Sequence, residues 1–330
     1  MSPDAALAIE ARGLTRRFGE RVAVDGLDLD VRAGEIFGYL GSNGAGKSTT
    51  IRMLSGILAP TAGEAWICGR SVLHEPEAVK GEIGYMSQAF GLYRDLTVAE
   101  NLTFFAGLRF EQRRTRRARV QESLARFGLA RERRTLAANL SGGWKQRLAL
   151  ACAVVHEPRL VFLDEPTAGI DPVSRRELWD ELYELSARGT TLFVTTHYME
   201  EAERCHRLAF VHAGRRLACG TPHALKRDAL PGVLLAVALT PGEGLGQRLQ
   251  QALVALRAAQ GELGLEDVNL YGEELHAVAP PGAAEPVARS VRALLAAAGH
   301  GAAQVAPIAP SIEDVFVALT RQADRAARAA

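Results

Sequence analysis

The stretch Gly41-Ser-Asn-Gly-Ala-Gly-Lys-Ser-Thr49 decides how the rest of the chain is read. Glycine at 41 and 46, lysine at 47 and a hydroxyl at 48 make a loop whose backbone N–H groups can wrap phosphate oxygens. The lysine is informative by its rarity. Of 39 basic side chains only four, at 47, 80, 145 and 226, are lysines. A compact ammonium fits inside a phosphate-wrapping loop where the planar fork of arginine does not. Residues 36–40 read as a buried strand, and 49–57 as a helix with Ile51, Leu54 and Leu58 turned inward. In this setting the amides of 44–48 cradle a triphosphate, Lys47 is expected to bridge its β- and γ-phosphates, and Ser48 to ligate Mg²⁺.

Further along, Leu160-Val-Phe-Leu-Asp164-Glu165 reads as a buried strand ending in two carboxylates. Asp164 is the natural second metal contact, and Glu165 can polarise an attacking water. A second anion-binding helix terminus follows from Leu140-Ser-Gly-Gly-Trp-Lys-Gln-Arg147, with Ser141 as N-cap of a helix over 144–155. One triphosphate does not need two such termini. Two chains packed head to tail, each closing the other's site, account for both.

The 330 residues suit two domains, and a net charge of +1 gives no global reason to expect a nucleic-acid partner. Cys68, Cys152, Cys205 and Cys219 lack the spacing of disulfides or zinc ligands. Neither a signal-peptide pattern at the start nor an apolar run of about 20 residues is present, so membrane work is expected to go through a partner.

Around the motifs, residues 7–40 alternate as short antiparallel strands. Thr97-Val-Ala-Glu100 is a capping box, and an arginine-rich turn precedes Val120, Leu124 and Phe127 at helical spacing. A helical insert over about 90–155 is thus expected, then strands at 160–163 and 192–195 around a helix at 173–187, which implies a largely parallel sheet. From about 230 the order is strand 233–239, a helix through Leu245, Leu249, Leu253 and Leu256, a hairpin around Gly272, helix 285–298 and strand 303–308. That order suggests a ferredoxin-like unit, with a last helix from Ser311 presenting Val315, Phe316 and Leu319.

Over residues 7–225 this set of motifs resembles the ATP-binding-cassette (ABC) ATPases. The resemblance implies an α/β P-loop NTPase with an antiparallel β-subdomain and an inserted helical subdomain over 1–228. A small α+β ferredoxin-like domain over 229–330 completes the chain. It also implies that Gly41, Ser42, Asn43, Gly44, Ala45, Gly46, Lys47, Ser48 and Thr49 hold ATP and that Phe18 stacks on adenine. Gln88 would meet metal and water beside Ser48 and Asp164, Asp171 would link the two sites, and His197 would touch the γ-phosphate with Lys47 and Glu165. Ser141, Gly142 and Gly143 would contact γ-phosphate across a dimer. Three positions depart from the pattern: Trp144 for glutamine, Ala168 for serine, Ser42 for proline or glutamate.

Pro166-Thr-Ala-Gly-Ile-Asp-Pro172, Thr196-His-Tyr-Met-Glu-Glu-Ala-Glu203 and Pro310-Ser-Ile-Glu-Asp-Val-Phe316 resemble type-2 ABC exporters of the drug-resistance class. That implies a second ATPase copy, or a homologous one, and a separate permease at the cytoplasmic face of the membrane. The segment after Gln88, with Phe90, Leu92 and Tyr93, is a candidate permease groove. Two alternatives stay open: an importer ATPase, disfavoured by the helix-bearing tail, and a soluble ABC ATPase acting on nucleic acid or the ribosome. For the latter, Arg113, Arg114, Arg116, Arg117 and Arg119 could touch phosphates, though interspersed acids favour a solvated face.

Overall fold

The computed structural model describes residues 6–88, 91–230 and 232–329. The chain begins with β1 (Leu7–Phe18), β2 (Arg21–Arg32), β3 (Ile36–Gly41), α1 (Lys47–Leu54), β4 (Ala62–Ile67), β5 (Arg70–Ser71), α2 (Pro76–Glu82) and β6 (Ile83–Met86). Next come α3 (Val98–Gly107), α4 (Arg113–Arg126) and α5 (Gly142–Val154). After them lie β7 (Leu160–Asp164), α6 (Pro172–Ala187), β8 (Thr191–Thr196), α7 (Met199–Ala202), β9 (Arg207–His212) and β10 (Arg215–Gly220). One sheet is antiparallel, in the order β2-β1-β4-β5. The other has the order β10-β9-β3-β8-β7-β6, parallel throughout except for β9 with β10.

The parallel strands are mostly apolar along their middles because both of their faces are covered. Ile36, Val161, Leu163, Leu192 and Val194 point into a core shared with α3, α4, α5 and α6, with Trp179 fully buried in it. The alternate residues Phe37, Tyr39, Leu160, Phe162 and Phe193 point the other way, into a core with α1 and the antiparallel sheet. Phe193 sits within 5.8 Å of the rings of Phe37, Tyr39 and Phe162. Each such side chain contributes about 1.5–3 kcal/mol by leaving water, so the period-two split holds the two layers on the sheet.

The structure corrects several local expectations. Helix α1 begins at Lys47 rather than 49 and stops at Leu54, leaving Leu58 half-buried beyond it. The arginine-rich segment is not a turn: Arg113 opens α4, which buries Val120 and Leu124 and leaves Arg113, Arg114 and Arg117 exposed. The capping box at Thr97 is present in full, with the Thr97 side chain accepting from Glu100 N and the Glu100 carboxylate from Thr97 N. Strand β6, with α2 before it, was not anticipated from the sequence. Its four residues are too short to show a period.

Two compact units divide the chain, Met1–Pro222 and His223–Ala330. The second contains most of α8 (Pro222–Asp228), then β11 (Val233–Ala238), α9 (Leu245–Ala258), β12 (Asp267–Tyr271), β13 (Glu274–Ala279), α10 (Ala284–Ala297), β14 (Gln304–Pro307) and α11 (Ile312–Ala329). The division falls after the first residue of α8, whose last residue is the expected boundary at 228. The sheet order β12-β13-β11-β14, antiparallel throughout, is the ferredoxin-like arrangement. Leu235, Val237, Leu275 and Val305 on one face pack with Leu249, Leu256, Val291 and Leu295 of α9 and α10.

Helix α11 is tied to that sheet by ion pairs. Buried His276 on β13 holds Asp314 Oδ1 through Nδ1 at 2.7 Å and Glu274 through Nε2 at 3.2 Å, with Tyr271 stacked on its ring. Arg321 pairs with Asp267 of β12. Burial opposes the His276 imidazolium, but its bonds to Asp314 and Glu274 outweigh this and raise its pKa above 6.5. Burial likewise opposes the Asp314 carboxylate, yet bonds from His276 and Ser311 lower its pKa below 3.8. A raised histidine stabilises fully below its unfolded pKa, and this is lost as pH rises through the folded value. A lowered aspartate stabilises above its unfolded pKa, and this is lost as pH falls through the folded one. Hydrogen-exchange protection of the α11 amides, corrected for intrinsic rate, is therefore expected to fall roughly tenfold as pH rises through the His276 transition. His276→Gln should remove that step; its persistence would exclude His276 as the titrating tether.

Candidate active site

Four adjacent parallel strands, β3, β8, β7 and β6, end along one edge of the sheet, and each delivers a different group there. Beyond β3 comes the glycine loop, beyond β8 His197, at the end of β7 Asp164 and Glu165, and beyond β6 Gln88. The C-terminal edge of parallel strands is the general place for ligands in such sheets.

The loop needs its glycines for space and conformation. A Cβ on Gly41 would run into the Val211 carbonyl, and one on Gly46 into that of Ala23, where φ is also +101°. Gly46 is the N-cap of α1, which has no side-chain cap and no acid in its first turn. Its amides and positive dipole end are therefore left for an anion. Lys47 is buried; its ammonium donates to Gly41 O at 2.8 Å and Ser42 O at 3.2 Å, and lies 3.6 Å from Glu165 Oε1. Burial pushes its pKa down, with Glu165 and Asp164 pulling it back up. A cavity of about 150 Å³ opens here, lined by Arg21, Ala23, Gly44, Gly46, Lys47, Ser48, Thr49 and Glu165.

Glu165 is the hub. It is 9% exposed, and its backbone sits in the left-handed region at φ +51°. For a residue other than glycine that costs about 1–3 kcal/mol. Its N–H donates to both the carbonyl oxygen and Oγ1 of Thr195, at 3.1 and 3.2 Å, and its carbonyl accepts from Ala168 N. At about 1 kcal/mol each, these bonds are of the size needed to hold the strained backbone. Gln88 Nε2 donates to Glu165 Oε2 at 3.0 Å. His197 Nδ1 lies 3.3 Å from Glu165 Oε1 without the alignment of a hydrogen bond. Thr195 also donates to Asp164 Oδ1 at 2.6 Å, which orients that carboxylate.

The remaining expected residues are spread more widely. Phe18 ends β1 with 48% of its surface exposed and the Arg16 guanidinium 4.6 Å from its ring. Ser141 holds the N-cap position of α5, but its side chain makes no cap bond and that helix too has no acid in its first turn. Gly143 packs so close to Ser174 that a Cβ would stand 2.5 Å from its hydroxyl oxygen. None of Ser141, Gly142 or Gly143 lines the phosphate cavity of its own chain. Asp171 caps α6, accepting from Val173 N, Ser174 N and Ser174 Oγ, and its pKa is lowered first by the Ser174 side chain. Trp144, in place of glutamine, packs half-buried on the core under Arg147. Phe90 lies outside the described residues. Leu92 packs partly on the core, while Tyr93 is exposed and meets Phe104 edge-on.

Sequence reasoning passed over Arg21, Ala23 and Thr195. The first two come from the antiparallel sheet, with no spacing to link them to the loop. Thr195 reads as one more residue of a buried strand.

Similarity to known proteins identifies the family. A family model described as ABC transporter matches residues 24–168. The chain is 45% identical over 221 residues to a probable multidrug ABC transporter ATP-binding protein of Escherichia coli, covering 67% of this chain and 38% of that protein. It therefore spans little more than a third of that relative. It is 39% identical to a daunorubicin resistance ATP-binding protein of Streptomyces coeruleorubidus, over 98% of this chain and 99% of the other. Among solved structures it is similar to a part of an ABC transporter complex from Clostridium perfringens (TM-score 0.63, 27% identity, 68% of this chain and 92% of that one). A dimeric post-hydrolysis ATP-binding cassette bound to ADP and Pi is also similar (TM-score 0.59, 26% identity, 64% and 98%). The chain belongs to the ABC transporter ATP-binding family, and its first unit has the ABC ATPase fold.

Gly46→Ala is expected to raise the Kd for ATP at least about 100-fold, because backbone strain and the collision with Ala23 reshape the loop. Equilibrium binding to the purified chain measures this; wild-type affinity would mean the loop tolerates a side chain there.

Proposed function

We propose that this chain is the ATP-hydrolysing subunit of an exporter, working as a pair with a second copy or a homologous subunit and driving a separate permease. The observation that carries the reading is the division of the anion sites. One chain has a phosphate cavity at α1 and a second uncapped helix terminus at Ser141–Gly143 that does not line it. A head-to-tail pair completes each cavity with the other's terminus.

In the proposed cycle the triphosphate lies along the 41–49 loop, with Lys47 at the β- and γ-phosphates and adenine against Phe18. Ser48, Asp164 and Gln88 would hold Mg²⁺. Their hydroxyl, carboxylate and amide oxygens are the hard donors such an ion takes, with phosphate oxygens completing its shell. The ion would neutralise phosphate charge. Glu165, aimed by Gln88 Nε2, accepts a proton from water as its oxygen attacks the γ-phosphorus, and ADP leaves with the bridging oxygen. His197 and the partner's helix terminus offset charge on the γ-phosphoryl group. Loss of that group removes the ligand that binds only the closed pair, which then opens. We assign 1–228 to this engine and 229–330 to an accessory domain.

No helix among the described residues is long and apolar enough to cross a membrane; in this reading the permease is a separate polypeptide and this chain works at the membrane's cytoplasmic face. Tyr93 with Phe104, and Leu108 beside a cavity of about 540 Å³ between α3 and α4, form an exposed apolar surface suited to a permease segment. The nucleic-acid alternative gains little from Arg119, which is engaged by Glu157 and Glu122.

Glu165→Gln should leave ATP affinity within about threefold, cut turnover at least about 100-fold, and trap a nucleotide-bound dimer by size-exclusion chromatography. Full turnover in that variant would remove Glu165 as the base. Ser141→Arg should block hydrolysis with ATP binding to the monomer unchanged; weakened monomer binding would place Ser141 in its own chain's site.

A further inference from the structure

Glu201 has no part in the cycle above, yet it is a carboxylate only 1% exposed. It lies four residues after His197, on α7. Its backbone is held by Glu201 N to Tyr198 O and by Arg204 N and Cys205 Sγ to Glu201 O. Its side chain accepts a hydrogen bond from Thr167 Oγ1, and Thr167 is itself fully buried. Arg175 Nε stands 3.9 Å away from Oε1, and Glu201 Oε2 has no hydrogen-bond partner. The Arg175 guanidinium lies 4.9 Å from the Tyr198 ring, which is 4.2 Å from that of His197.

These contacts close on themselves. His197 approaches Glu165, and Glu201 binds Thr167, two residues further along the same segment. The segment from β8 into α7 thus grips residues 165–167 at both ends. Glu165, at the near end of this stretch, has a left-handed backbone that costs energy to hold.

We propose that Glu201 is a positioning residue: its hydrogen bond to Thr167 anchors the far side of the turn that aims Glu165, in register with His197. This rests on the assignment of Glu165 made above. A charged group this deeply buried, with one short-range donor, is costly to the fold by itself. A structural role alone would be filled as well by an apolar pair of the same volume. What the Glu201–Thr167 pair adds is direction, because a hydrogen bond fixes an angle that apolar packing leaves free. Arg175 offsets part of the buried charge and, through Tyr198, ties the same carboxylate to the His197 side of the grip.

The test measures ATP turnover and equilibrium ATP binding on the full chain. Thr167→Val removes the donor while keeping volume, and should lower kcat about tenfold with ATP affinity within about twofold. Thr167→Ser, which restores the hydroxyl, should return kcat to within about threefold of wild type. Glu201→Ala should resemble Thr167→Val, and the double variant should be no slower than the slower single one. Losses that multiply in the double variant would overturn the proposal, as would a fall in ATP affinity parallel to kcat, or Thr167→Ser no better than Thr167→Val. If Glu201→Ala does not fold, the valine and serine variants decide. Glu165→Gln is the control: full turnover there sinks the assignment of the base, whatever Thr167 does.

Discussion

The in-register parallel pairing of β3, β8, β7 and β6 is the constraint on which the rest of this protein depends. Asp164 pairs with Thr195 and Leu40 with Thr196, so the ends of neighbouring strands fall together. A slip of one residue would turn Phe162 and Phe193 from one core to the other and carry Glu165 away from Lys47. The two buried faces make that slip costly, since several side chains worth about 1.5–3 kcal/mol each would change sides together. Packing far from the site therefore fixes the position of its reacting groups.

At the strand ends the chain concentrates polar groups that few other places would tolerate. Lys47, Asp164 and Glu165 are all buried within one small region. Their arrangement is consistent because each has partners: loop carbonyls for Lys47, Thr195 for Asp164, Gln88 for Glu165. Charges in such surroundings act more strongly than in water. The same setting makes Glu165 sensitive to small changes in aim, which is why the contacts around Thr167 and Glu201 bear on it.

The second unit is built on a different balance. Its two-helix side is an apolar core, while α11 buries Ile312 and Val315 and is also tied to the sheet through His276–Asp314 and Arg321–Asp267. Apolar burial scarcely responds to pH, whereas a histidine-based tether does near neutrality. One domain thus contains a permanent attachment and a titratable one.

Much of this was legible from residue order. The glycine loop, the apolar strand ending in Asp164 and Glu165, the capping box at Thr97 and the ferredoxin-like order after 230 each depend on local spacing, and local chemistry imposes that spacing. Strand β6 and the start of α4 at Arg113 were not legible. A four-residue strand carries no period, and a surface helix rich in arginine has only a thin apolar stripe. By itself the sequence determined which residues could bind phosphate, because loop conformation and helix capping are nearest-neighbour matters. Only the tertiary structure decided that Glu165 meets Lys47, Gln88 and His197, that Arg21 lines the same cavity, and that Thr195 contacts the turn at Glu165 and Glu201 contacts Thr167. Those meetings follow largely from strand order across a sheet, which joins residues as far apart as Phe37 and Arg207 and leaves no mark in any short stretch of chain.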